Sequence, residues 1–156
     1  MGETTELPFA LNVRAMELTD VDEVLQVEKA SFVTPWSREA FVAEVGDNDL
    51  ACYLVAEVDG RVVGYAGMWL ILDEAHVTNV ALLPVYRGRG LGTALMGALC
   101  ELAKTVGAQR MTLEVRPSNI AAQRLYGKLG FAARGVRPGY YTDTKEDALI
   151  MWRDKL

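Results

Sequence analysis

The feature that most constrains this chain is a change of periodicity around a cluster of glycines. Val77-Thr78-Asn79-Val80-Ala81-Leu82-Leu83 is an apolar, β-branched run that reads as a strand. Pro84-Val85-Tyr86-Arg87-Gly88-Arg89-Gly90-Leu91-Gly92-Thr93 follows, and then Leu91, Ala94, Leu95, Ala98, Leu99 and Leu102 recur at helical spacing. A strand therefore passes through a glycine-rich turn into the N-terminus of an amphipathic helix. Glycine lets backbone approach a ligand closely and take conformations other residues avoid. The N–H groups of a first helical turn, with the positive end of the helix dipole, form an anion site. Arg87 and Arg89 add fixed positive charge beside it. A pyrophosphate is the ligand this arrangement suits; a plain glycine-rich turn that starts an ordinary helix is the alternative.

The spacing discriminates among phosphate loops. It is not G-x-x-x-x-G-K-S/T, and no lysine follows the glycines, so a P-loop is out. A dinucleotide fingerprint needs G-x-G-x-x-G, whereas this segment has G-x-G-x-G. It does match Q/R-x-x-G-x-G/A, as Arg87-Gly88-Arg89-Gly90-Leu91-Gly92. That pattern resembles the acetyl-coenzyme A loop of the GNAT N-acetyltransferases.

The whole chain, 1–156, reads as a single domain, long enough for a substantial core. A net charge of −5 disfavours wholesale binding to nucleic acid or to an anionic membrane. No window has the apolar length needed to span a bilayer. Met1 to Pro8 carries Glu3 and Glu6 and lacks the basic-then-apolar pattern of a leader. Met1-Gly2 hints at myristoylation, but Glu6 stands where Ser or Thr is needed. A cytoplasmic monomer is expected. Cys52 and Cys100 lie in apolar surroundings without metal-type spacing and read as buried small side chains, with a nucleophile as the alternative for either. His76 is the sole histidine, which excludes metal sites built on several; no metal is expected, and His76 itself reads as structural or superficial, with a place near a substrate groove as the alternative.

Along the chain, Asn12 to Met16 is a short candidate strand. Thr19 or Asp20 caps a helix carrying Val21, Val24, Leu25, Glu28 and Ala30, and Ser37 opens a second short helix to about Val45. Cys52 to Val58 and Val62 to Leu72 are β-rich runs joined by Asp59-Gly60, a hairpin signal. A strand from Ala75 to Leu83 and a helix from Leu91 to about Val106 follow. Met111 to Val115 is a strand, Ser118 or Asn119 caps a helix through Leu129, and Gly130 ends it. Phe131 to Arg137 and Ala148 to Arg153 are strands. The order β-α-α-β-β-β-α-β-α-β-β predicts an α+β fold with a mixed central sheet flanked by helices.

This order is also that of the GNAT family, and the resemblance runs from Val13-Arg14-Ala15-Met16 to Met151. Its most specific segment is Leu113-Glu114-Val115-Arg116-Pro117-Ser118-Asn119-Ile120-Ala121-Ala122-Gln123-Arg124-Leu125-Tyr126, followed by Leu129-Gly130-Phe131. Ser31-Phe32-Val33-Thr34-Pro35-Trp36, Gly139-Tyr140-Tyr141 and Glu146-Asp147-Ala148-Leu149-Ile150-Met151 are similar to the bacterial branch that acetylates the N-terminal alanine of a ribosomal protein. The resemblance implies acetyl-coenzyme A as cosubstrate and a ribosomal protein's N-terminal peptide as partner. Acetylation of lysine side chains or small amines, and a non-catalytic acyl-coenzyme A-binding module, are the alternatives.

Acetyl transfer from a thioester to an amine needs a neutral amine, a polarised carbonyl and a proton for the departing thiolate. A peptide α-amine has a pKa of about 7.7–8.0 against about 10.4 for lysine, so deprotonating it near neutral pH is roughly 3 kcal/mol easier. Glu114, a charge in mid-strand, is a candidate general base, or else a salt-bridged glutamate at a sheet edge. The resemblance implies the base role for Glu114 and a proton-donor role for Tyr126, which otherwise reads as an aromatic packed on the sheet. Asn119 resembles a ligand to the pantetheine arm and equally a helix N-cap. Family members lay that arm beside the strand carrying Val80, Ala81 and Leu82, where a bulge or splay would free amides; the sequence allows one without showing it. Arg87, Gly88, Arg89, Gly90, Leu91, Gly92 and Thr93 complete the expected cofactor contacts. Trp36, Tyr140 and Tyr141 are candidate peptide-gripping aromatics, or packing residues. Asp143, Glu146 and Asp147 are either an attraction for a basic peptide or a solvated turn.

Overall fold

The computed structural model describes residues 10–156, so the leader and myristoylation readings on Met1 to Pro8 lie outside the described residues. The elements are β1 (Leu11–Ala15), α1 (Val21–Ser31), α2 (Arg38–Gly46), β2 (Ala51–Val58), β3 (Arg61–Ile71), β4 (Glu74–Leu82), α3 (Leu91–Thr105), β5 (Arg110–Val115), α4 (Ile120–Lys128), β6 (Ala132–Arg137) and β7 (Ala148–Arg153). This is the expected order. Two one-turn 3-10 helices, Leu18–Asp20 and Pro84–Tyr86, were not foreseeable from periodicity because they are shorter than one repeat. Phe131 belongs to no strand; it is buried just ahead of β6.

The strands form one mixed sheet of seven, in the order β1-β2-β3-β4-β5-β7-β6. Only β4 and β5 pair in parallel; every other neighbour is antiparallel. The β2–β3 hairpin turns on Asp59 and Gly60, both with positive φ (51° and 80°), as a type I′ connection requires.

Strand alternation sorts side chains onto the two faces of the sheet. Tyr53, Val55, Val62 and Tyr65 pack with Val21, Val24 and Val27 of α1 and Phe41 of α2. Leu54, Ala56, Val63, Ala66 and Met68 pack on the opposite face with Leu91, Leu95, Met96 and Leu99 of α3. Gly67 is required by this packing, since a Cβ there would lie 2.1 Å from the Tyr53 ring. Both cysteines are free, and burial pushes each thiol up from its ordinary pKa, so neither is poised as a nucleophile.

Capping followed the expectations in two of three helices. Ser37 Oγ accepts the Ala40 N–H at 3.1 Å, and Asn119 Oδ1 accepts the Ala122 N–H at 3.1 Å. Asp20 stands at the N-cap of α1 but makes no side-chain cap. Its carboxylate instead takes two hydrogen bonds of 2.7 Å from Arg14, which also pairs with Glu57, and one from the Glu17 N–H. A guanidinium within reach offers a buried carboxylate more than a cap does, and it holds Asp20 below the usual carboxylate range.

Candidate active site

The site begins where the sheet comes apart. β4 and β5 pair only at Glu74/Arg110, Ala75/Met111 and His76/Thr112. Beyond that point β4 continues its ladder with β3 to Leu82, but Gly67 faces Asn79 while Met68 faces Val77. Thr78 is the extra residue, and β4 is bulged there. The bulge turns β4 away from β5 and opens a wedge whose backbone groups on the β5 side of β4 are outside any ladder. The splay that the sequence only allowed is thus present.

Two cavities meet in the wedge. The first, of about 360 Å³, is bordered by Trp36, Thr78, Glu114, Arg116, Tyr140 and Tyr141 among others. The second, of about 300 Å³, runs past Val80, Ala81 and Leu82 towards Arg87 and Gly92 at the start of α3. Phe32, Val80, Asn119 and Tyr126 border both. The structure therefore gathers Glu114, Tyr126, Asn119, the β4 trio and the three candidate aromatics around one opening.

Glu114 lies on β5, between β4 and β7 in the sheet but past the last β4 pair at Thr112, so its β4 side borders the open wedge. Its side chain is 8 % exposed; Oε2 lies 2.8 Å from His76 Nε2, and Arg137 Nη2 lies 3.9 Å from Oε1. Tyr126 is on α4, its ring tilted against Phe131 at 5.9 Å between centroids. Burial pushes its phenol up to about 12, so the hydroxyl keeps its proton throughout the neutral range. That is what a proton donor requires.

Trp36 borders the first cavity and also packs on Phe41, with centroids 5.4 Å apart, so packing and lining coincide in one side chain. Tyr140 and Tyr141 meet edge-to-face at 5.0 Å. Arg116 lies 3.9 Å above the Tyr141 ring and makes two hydrogen bonds to Asp143, at 2.9 and 3.0 Å. It also reaches Glu146 at 3.7 Å, whose Oε2 accepts the Ser118 N–H. Asp147 accepts the Gly139 N–H at 2.8 Å. The three acidic residues tie the exposed turn between β6 and β7 to itself and to the segment that follows β5.

The glycine loop divides by conformation. Gly88 and Gly90 have positive φ (73° and 86°), and Gly90 is the N-cap of α3. Gly92 is helical, and a Cβ there would lie 2.8 Å from Leu125 Cδ1 of α4, so helix packing explains it. Of the expected loop contacts, Arg87 and Gly92 border the second cavity; Gly88, Arg89, Gly90, Leu91 and Thr93 do not. Leu91 is fully buried in the core, which leaves it only backbone to offer. Arg87 spends Nε on the Leu82 carbonyl at 3.0 Å and Nη2 on the Ser31 hydroxyl at 3.1 Å, bracing the loop against β4 and α1.

Glu28 is a site residue that the sequence reading treated only as part of a helical face. It is 2 % exposed, accepts from the Tyr65 hydroxyl and the Trp36 N–H, and borders the first cavity. Asn79 hydrogen-bonds Tyr65 in turn, and among the described residues its Oδ1 is buried without a partner. The available signal was a carboxylate inside the apolar stripe of α1.

Burial raises the Glu28 carboxyl above its ordinary value. Below the unfolded pKa of about 4.3 the group is neutral in both states; above it the unfolded chain ionises first, so stability falls as pH rises towards the folded pKa. Glu28→Gln keeps an oxygen for Tyr65 and Trp36 but cannot ionise. Thermal melts are expected to show the parent losing ground to this variant from about pH 4 upwards, then a constant gap once the native group has ionised. An unchanging difference from acid to neutral pH would mean that Glu28 ionises alike in both states.

The sequence pattern of the acetyltransferase (GNAT) family matches residues 21–131. The chain belongs to that family. It is 49% identical over 140 residues to a Bacillus subtilis protein that carries the provisional name ribosomal protein bS18-alanine N-acetyltransferase, covering 90% of this chain and 93% of that one. The Escherichia coli ribosomal protein bS18-alanine N-acetyltransferase is 36% identical over 141 residues, covering 89% and 94%. The crystal structure of the ribosomal-protein-S18-alanine N-acetyltransferase from Escherichia coli superposes with a TM-score of 0.85 at 32% identity, over 94% of this chain and 96% of that one. A Salmonella typhimurium protein solved with its cofactor acetyl-CoA shares the fold, with a TM-score of 0.79 at 22% identity over 92% of each chain. This GNAT chain is an acyltransferase with the N-acetyltransferase fold of its relatives. No helix among its described residues is long and apolar enough to cross a membrane, and no group of three metal-ligating side chains occurs among them.

Proposed function

We propose that this chain is a cytoplasmic, acetyl-coenzyme A-dependent Nα-acetyltransferase whose acceptor is the N-terminal alanine of a small-subunit ribosomal protein. The observation that carries the reading is the pair of cavities meeting at Tyr126, with Glu114 in one and the glycine-loop end of the other at α3. The names of the Bacillus subtilis and Escherichia coli relatives support the acceptor.

In this reading the pantetheine arm of acetyl-coenzyme A lies along Val80, Ala81 and Leu82 as an added strand, and free β4 amides polarise the thioester carbonyl. The pyrophosphate meets the N–H groups that follow Gly88 and Gly90. The acceptor peptide enters past Trp36, Tyr140 and Tyr141. As the amine nitrogen bonds to the acetyl carbon and the carbon–sulfur bond breaks, Glu114 takes a proton from the amine and Tyr126 gives one to the thiolate. A carboxylate suits an α-amine, whose pKa of about 7.7–8.0 leaves a modest proton to remove near neutral pH.

Peptides incubated with acetyl-coenzyme A and read by mass spectrometry test the substrate class. A peptide with a free N-terminal alanine is expected to gain one acetyl group, and the same peptide with a blocked α-amine is expected to gain none even when it contains lysine. Acetylation of the blocked peptide with the free one untouched would replace this reading by a side-chain acetyltransferase.

A further inference from the structure

The bond between His76 and Glu114 has no counterpart in the motifs that carry the family resemblance, and it makes the lone histidine more than a surface residue. Glu114 Oε2 lies 2.8 Å from His76 Nε2. For Glu114 to act as a base it must be ionised, and an ionised carboxylate has no hydrogen to give, so in that state the histidine donates from Nε2. His76 occupies the last position at which β4 pairs with β5, opposite Thr112, and Glu114 is two residues further along β5, on the same face as Thr112. The two side chains therefore meet where the strands begin to part, with the bulged Thr78 two residues further along β4. His76 does not border the acceptor cavity, whereas Glu114 does. The imidazole stands behind the carboxylate and not in front of it. Its side chain is 35 % exposed against 8 % for Glu114.

We infer that His76 is the positioning residue for Glu114, holding Oε2 so that Oε1 stays presented to the acceptor amine. This rests on the reading of Glu114 as the base. A glutamate side chain has three rotatable torsions, and a base displaced by about 1 Å can lose as much as two orders of magnitude in rate. The neighbouring Arg137, 3.9 Å from Oε1 with its own side chain 56 % exposed, is too long and too solvated to fix the carboxylate alone. With Oε2 occupied, the proton released when the amine bonds to the acetyl carbon goes to Oε1, and the histidine keeps its own. His76 then needs only a donor at Nε2.

A double-mutant cycle with a rescue variant tests this. Initial rates are measured for the parent, His76→Ala, His76→Gln, Glu114→Gln and the double variant His76→Ala/Glu114→Gln, with an alanine-initiated peptide and acetyl-coenzyme A. His76→Ala is expected to lower kcat on the order of tenfold with the KM for acetyl-coenzyme A unchanged. His76→Gln, whose amide can donate to Oε2 but carries no transferable proton, is expected to recover to within about threefold of the parent. In the Glu114→Gln background, His76→Ala is expected to cost nothing further. Additive losses, or a glutamine variant as poor as the alanine one, would overturn the inference. A Glu114→Gln enzyme as active as the parent would instead sink the base reading on which it rests, and the single-variant rates tell the two failures apart.

Discussion

Glu114→Gln is expected to lower kcat by roughly two to four orders of magnitude while leaving acetyl-coenzyme A affinity nearly unchanged. The substitution keeps the size of the side chain and an oxygen for His76 to donate to, so the wedge between β4 and β5 should persist. What disappears is the capacity to take a proton. Affinity for the thioester is spared because Glu114 borders the first cavity and is absent from the lining of the second. The deficit should shrink at alkaline pH, because an α-amine with a pKa of about 7.7–8.0 then arrives already neutral. Steady-state rates across about pH 6–9 read this out. A variant that matches the parent throughout that range would remove Glu114 from proton transfer.

Gly90→Val is expected to weaken acetyl-coenzyme A binding by about 1–2 kcal/mol or more, roughly tenfold or beyond, and a short pantetheine thioester far less. Gly90 has φ +86° at the N-cap of α3, a conformation that a β-branched residue resists. Forcing it towards negative φ would re-aim the N–H groups of the first helical turn, which are the proposed phosphate cradle. The short thioester lacks the phosphates and should feel only the disturbance passed on to β4. Titration calorimetry with both ligands gives the comparison; equal losses would make the loop scaffolding. Gly92→Val is a useful contrast. A Cβ there meets Leu125 of α4, so its damage comes through helix packing and should fall on both ligands.

Local chemistry made most of the element order readable. Asp59-Gly60 specified its hairpin through two positive φ angles, and Asn119 and Ser37 specified helix starts through their own side chains. The same locality explains what was missed. The splay depends on where β5, which begins 28 positions after β4 ends, stops pairing, and no window containing Thr78 records that. Glu28 stood in the apolar stripe of α1 as an anomaly, yet its partner Tyr65 lies 37 positions away. Asp20 was read as a cap because capping is a short-range rule, and Arg14 reached it first. His76 carried no signal at all: a single histidine in a strand has no pattern, and its meaning comes from a carboxylate 38 positions on. The candidate site was legible wherever a motif spelled it out, and illegible wherever two distant side chains complete each other.

Only three residue pairs join β4 to β5, while β1 to β4 and β5 to β7 are each laced by longer antiparallel ladders. Mechanically the sheet is two stiff plates stitched along a short seam at one end. The gap widens away from His76 and Thr112, with Glu114 on one side and the bulged stretch of β4 on the other. Residues of both plates share the one core packed around α3, so the wedge is braced from behind. In the proposed reaction a thioester arm lying in the gap would supply the missing stitches, and the sheet would be completed by the substrate itself and not by the chain.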